Sequence, residues 1–145
     1  MEAILLIGIQ GAGKSTFYIE RFFDTHLRIG QDLLGTRHRQ RRLLEFCIET
    51  RQPFVVDKTN ATRAERMRFI LPSMEAGFRV VGYFFEPDPQ GSWERNQRRK
   101  RQVPPAGLFG TLKRLERPQQ DEGYSALHRV SLTPDGGFIV SDYAP

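Results

Sequence analysis

Gly8-Ile9-Gln10-Gly11-Ala12-Gly13-Lys14-Ser15 has the spacing G-x-x-x-x-G-K-[ST], which builds a phosphate-binding loop. Glycines let such a loop turn tightly and point its N–H groups inward at phosphate oxygens. Gly8, Gly11, Ala12, Gly13 and Thr16 are therefore expected at the nucleotide, with Lys14 reaching the β- and γ-phosphates. The Ser15 hydroxyl is the expected ligand of Mg²⁺. Binding of a nucleoside triphosphate is the central expectation.

Such a loop needs a strand before it and a helix after it. Ala3–Ile7 is an apolar run suited to a buried parallel strand, and the segment from Ser15 to Asp24 has helical spacing. Leu27–Ile29 reads as a second strand, and Gly30-Gln31-Asp32 as the loop leading into a long helix from about Leu33 to Thr50. Pro53–Asp57 reads as a third strand, followed by a loop through Asn60. Thr62 and Glu65 have capping-box spacing at the start of a helix over Arg63–Ala76. Phe78–Phe85 is a fourth strand, a helix from about Gln90 to Gln102 follows, and a short helix is marked by Leu108, Leu112 and Leu115. Leu127–Leu132 and Phe138–Val140 read as strands flanking turn residues.

This alternation predicts one α/β domain over residues 1–145, a P-loop NTPase with a parallel sheet covered by helices on both faces. The P-loop, Asp32, Asp57 and Asn60 each follow a strand, so they converge on the edge where ligands bind in such sheets.

Composition bounds the alternatives. The net charge is +5, and only four of the 22 basic residues are lysines. Arginine binds phosphate bidentately, which suits a polyanionic partner, although solubility charge gives the same count. Cys47 is the only cysteine, so an internal disulfide and a cysteine-based zinc site are excluded. No stretch reaches the ~20 apolar residues of a membrane span, and a cytoplasmic protein is expected.

Asp57 is followed by Lys58 rather than by a second acid, so the residue that commonly polarises water is missing. Transfer to a bound alcohol is the expected chemistry, and it calls for a base and a mobile cation. Asp32 is the candidate base, or alternatively a helix N-cap. Arg95, Arg98, Arg99, Lys100 and Arg101 form either a cationic lid over about 88–104 or a solvated helix face. The same choice applies to the helix carrying Arg37, Arg39 and Arg41.

The chain resembles the kinase module of the polynucleotide 5′-hydroxyl kinases, especially that of polynucleotide kinase/3′-phosphatases. The resemblance rests on Gly8–Phe17, Gln31-Asp32-Leu33-Leu34-Gly35, Val55–Asn60 with Arg66, Arg95-Asn96 with Arg98 and Arg99, and Glu122-Gly123-Tyr124. It implies ATP- and Mg²⁺-dependent phosphorylation of a nucleic acid 5′-hydroxyl. Asp32 would then be the base, Arg98 or Arg99 the lid arginine on the phosphates, and Asp57 a holder of the magnesium hydration shell. Arg66 would touch substrate phosphate. From the arginine distribution, a strand entering near Asp32 would meet Arg37, Arg39 or Arg41 on one side and Arg66 on the other, with Asn60 also on the substrate side. The chain departs from the family in having Lys58 beside Asp57, and Gly30 where relatives often have Asn. A small-molecule kinase, or an ATP-binding regulatory module without efficient transfer, has the same motifs.

Overall fold

The computed structural model describes residues 1–99 and 102–144. Six strands form one sheet: β1 (Glu2–Ile7), β2 (Leu27–Gly30), β3 (Phe54–Asp57), β4 (Arg79–Phe85), β5 (Ala126–Leu132) and β6 (Phe138–Asp142). Their order is β2-β3-β1-β4-β5-β6. The first five run parallel, and β6 returns antiparallel to β5, so the expected parallel sheet gains an antiparallel edge. The reason is local. A short turn from Thr133 to Gly137, closed by the Thr133 N–H to Gly137 carbonyl bond, reverses the chain without the crossover a parallel partner requires.

Period-two alternation on β1 divides the interior into two cores. Ala3, Leu5 and Ile7 face Leu44, Cys47, Phe69 and Ile70 from α3 (Arg37–Thr50) and α4 (Arg63–Glu75). Ile4 and Leu6 face Phe17 and Tyr18 of α1 (Lys14–Arg21), with Leu108 of α6 (Pro105–Arg114) in the same cluster. Helices thus cover both faces. Burial raises the Cys47 thiol to about 11, which makes it inert packing.

Two helices differ from expectation. The long helix beginning near Leu33 is broken into α2 (Gln31–Leu34) and α3 by Gly35, at φ 78. Thr36 then caps α3 by accepting from the Arg39 N–H. Helix α5 (Pro89–Gln97), in the segment expected to form a lid, ends five residues earlier than Gln102. Asn96 stops it by bonding the chain that comes back: its amide donates to the Val103 carbonyl and its Oδ1 accepts from the Val103 N–H. Lys100 and Arg101 lie outside the described residues.

Candidate functional site

The loop from Gly8 to Gly13 joins the C-terminal end of β1 to the start of α1. Gly11 and Gly13 have φ of 76 and 97, where L side chains are strained, and Gly13 is the N-cap of α1. A Cβ on Gly11 would also stand 2.4 Å from the Ser92 carbonyl oxygen of α5. Gly8 differs. Its backbone needs no left-handed turn, and its missing side chain instead leaves room for Phe85, whose Cβ would be 2.9 Å away.

Lys14 is buried, and its ammonium donates to the carbonyls of Gly8 and Ile9 at 2.8 and 2.9 Å. Burial lowers its pKa to about 8, while Asp57 and Asp32 pull it up and Arg99 pushes it down. Lys14, Asp57, Asp32 and Arg99 therefore share one electrostatic neighbourhood. Together with Gln10, Ser15, Thr16, Arg28, Gln31, Lys58, Thr59, Arg95 and Arg98 they line a cleft of about 570 Å³.

Ser15 and Asp57 meet at the floor of this cleft, where the Ser15 hydroxyl donates to Asp57 Oδ2 at 3.0 Å. A hydroxyl beside a carboxylate fits Mg²⁺, which keeps several waters and takes few protein oxygens alongside phosphate. Ser15 and Asp57 would hold the ion there, and the ion would neutralise phosphate charge. Arg28, which sequence reasoning passed over as a strand residue, reaches the same two groups. Its Nε donates to Asp57 Oδ2 at 2.8 Å and its Nη2 to Ser15 Oγ at 3.0 Å. The available signal was strand alternation: Arg28 points away from the face that buries Ile29, and so toward α1.

Asp32 sits in the first turn of α2 and is not its cap, because Gly30 holds that position without a side-chain bond. Its carboxylate pairs with Arg99 at 3.5 Å, and both side chains are well exposed. The base candidate and an arginine just after α5 thus touch across the cleft. Arg95 anchors α5 to the loop by donating to the Gly11 carbonyl. Burial lowers the Arg95 pKa, with Asp88 opposing and Arg98 adding to the effect. Arg98 lines the cleft and also a second cavity of about 190 Å³ between α5 and the turn from Leu132 to Gly136.

Two sequence-based assignments are corrected. Arg66 cannot meet substrate, because it is 0% exposed and bonded internally on every arm. Its Nε and Nη2 donate to the Glu122 carboxylate at 2.7 and 3.0 Å, and its Nη1 to the carbonyls of Asn60, Ala61 and Glu116. Burial alone would raise the Glu122 pKa, yet the Arg66 guanidinium, the Gln119 N–H and Tyr124 hold it below the usual range. Asn60 is also structural. Its amide donates to the Leu6 and Val56 carbonyls, latching β1 to β3, and the residue is 1% exposed. Arg37 lies outside the cleft lining, exposed at the start of α3. Lys58, treated above as a departure from the family, lines the cleft. Its pKa is lowered chiefly by burial, with Glu65 opposing and Arg68 and Arg37 adding to the shift.

A family model described as an AAA domain matches residues 21–118. The chain belongs to the AAA-domain family. Solved structures with the same fold include a gluconokinase from Sinorhizobium meliloti 1021, at 21% identity and a TM-score of 0.61, covering 90% of this chain and 82% of that one. Chaetomium thermophilum Kti12 in complex with ADP-AlF3 aligns at 15% identity and a TM-score of 0.67, covering 89% and 88%. The Mycobacterium tuberculosis APS kinase CysC in complex with AMPPNP and APS aligns at 15% identity and 0.55, covering 94% and 90%. The α/β architecture of this AAA-domain protein is thus that of the P-loop kinases. Among the described residues no helix is long and apolar enough to cross a membrane.

Proposed function

We propose that this protein is an ATP-dependent phosphotransferase that moves the γ-phosphoryl group to a hydroxyl of an anionic acceptor. The observation that carries the reading is the single cleft holding Lys14, the Ser15–Asp57 pair, and Asp32 in contact with Arg99. In the reaction the acceptor oxygen attacks the γ-phosphorus, the bond to the β-phosphate oxygen breaks, and ADP leaves. Asp32 takes the acceptor proton. Lys14 and Arg98 or Arg99 hold the phosphate charge, a positioning and electrostatic task that carries most phosphoryl transfer.

The sequence resemblance favours a polynucleotide 5′ end as the acceptor. Arg37, Lys58 and Arg68 supply positive charge beside the cleft for the adjoining phosphates, in place of Arg66. A small anionic alcohol is the second reading. It is favoured by the inward burial of Arg66 and by the gluconokinase and APS kinase among similar folds.

The deciding experiment offers labelled ATP with 5′-hydroxyl oligonucleotides and a panel of nucleosides, sugars and other alcohols. Label in the oligonucleotide supports the first reading, and label confined to a small acceptor supports the second. Label transferred to no acceptor, with ATP still bound, leaves only a nucleotide-binding module. For whichever acceptor is used, Asp32→Asn should lower turnover by roughly 10² to 10⁴, the range for a positioned base, with ATP affinity within a few-fold. Unchanged turnover removes Asp32 from the chemistry.

A further inference from the structure

Arg28 has an unusual position for a strand arginine. One guanidinium spans both protein groups suited to a divalent cation, Ser15 Oγ and Asp57 Oδ2, at 2.8 to 3.0 Å. Asp57 Oδ2 accepts from both Arg28 and the Ser15 hydroxyl, so the three groups close into one triangle. A metal ion or its bound water directed at that oxygen would meet a fixed positive charge already in contact with it. Two cations repel at such distances, and the partly buried setting screens them less than bulk water does.

The fold makes room for this arrangement. A Cβ on Gly30 would lie 3.5 Å from Arg28 Nε and 3.6 Å from Cζ, so even alanine there would stand in ordinary contact with the guanidinium, leaving little spare room beside it. Gly30 has an extended backbone, φ −122 and ψ 147, which any residue adopts, so backbone geometry does not demand glycine there. On its other side the guanidinium lies 5.8 Å from the centre of the Tyr18 ring. The Arg28 side chain is 34% exposed, against 3% for Asp57, so the arginine has a path into solvent that its partner lacks.

We propose that Arg28 is a resident competitor for the divalent cation: it holds Asp57 and Ser15, and a metal–nucleotide complex loads only as the guanidinium leaves them. Arg28 then sets the divalent concentration at which the cleft fills. This inference rests on the nucleotide-binding reading of the cleft but not on the identity of the acceptor.

The test measures the affinity of Mn²⁺ for the complex of the full chain with a non-hydrolysable ATP analogue, following free Mn²⁺ by electron paramagnetic resonance. Arg28→Met keeps most of the stem and removes the charge. It should tighten Mn²⁺ by roughly 5- to 150-fold, the span of ordinary coupling between ligands. Gly30→Asn retains Arg28 while crowding its guanidinium, and should shift Mn²⁺ affinity the same way by a smaller factor. Equal or weaker Mn²⁺ affinity in Arg28→Met, with a cooperative melt proving it folded, overturns the proposal. So does a Gly30→Asn variant that binds Mn²⁺ as the wild type does, if Arg28→Met fails to fold. If the wild type and both variants fail to bind the analogue at any Mn²⁺ concentration, the nucleotide reading itself falls and takes this inference with it.

Discussion

Arg28 and Arg66 are both paired with carboxylates, yet they stand in opposite situations. Arg66 is sealed, with its partners all on the protein and Glu122 itself 1% exposed. Arg28 opens onto a cleft and is one-third exposed. An internal guanidinium with every arm satisfied fixes the packing of α4 against the segment through Glu122. One that shares its acceptors with a hydroxyl on a cleft floor can exchange them for a ligand. The contrast shows that arginine's chemistry is set by who else can reach its partners, more than by its charge.

The comparison is broken most directly at Arg66. Arg66→Met should destabilise the fold by about 3–5 kcal/mol, because it leaves Glu122 as an uncompensated buried charge. Chemical denaturation checks this, and the double variant with Glu122→Gln should recover part of the loss. A mild effect would mean that water reaches Glu122 and that the knot is not sealed.

Lys14 sharpens the contrast from a third position, a buried cation whose direct partners are two carbonyls. Its pKa of about 8 lies below the ordinary 10.5, so protonated Lys14 opposes folding below pH 8. That penalty is relieved as pH rises from about 8 to 10.5, and its contribution to stability increases across that window. Nucleotide binding has the opposite sign, because phosphate wants the ammonium. Above pH 8 affinity should fall by up to about tenfold per pH unit, with uptake of up to about one proton. Calorimetry in buffers of different ionisation enthalpy measures that uptake. Binding without proton uptake at pH 9 would show that Lys14 stays charged.

At Arg28 the expected stability change is smaller. Arg28→Met should cost less than Arg66→Met, because Ser15 still donates to Asp57 and that carboxylate lines the open cleft. A loss as large as that at Arg66 would erase the distinction between the two arginines. The smallest expected effect lies at the surface. If the acceptor is an oligonucleotide, each phosphate neutralised contributes about −0.7 to the slope of log affinity against log salt. Arg37→Glu should flatten that slope by up to ~0.7. The Michaelis constant for the oligonucleotide across a salt series reports it, and an unchanged slope places Arg37 outside the acceptor path.

Much of the scaffold was legible from local chemistry. The P-loop spacing, the buried strands and the Thr62 cap depend on neighbours within a few residues, and Thr62 does accept from the Glu65 N–H. Asp32 and Asp57 reached the cleft because residues just after parallel strands share one edge of the sheet. The break at Gly35 was harder to read, since Gln31–Thr50 carries helix-compatible residues on both sides of one left-handed glycine.

By itself the sequence determined that a glycine-rich loop joins a buried strand to a helix, since backbone freedom and apolar patterning are properties of adjacent residues. Only the tertiary structure decided which arginines line the cleft. Arg66 turned inward because Glu122, 56 residues away, meets it there. Arg28 came to the cleft floor because β2 lies beside β3, setting Gly30 opposite Asp57. A guanidinium is identical in every sequence position, and its role depends on partners that only long-range packing brings within 3 Å.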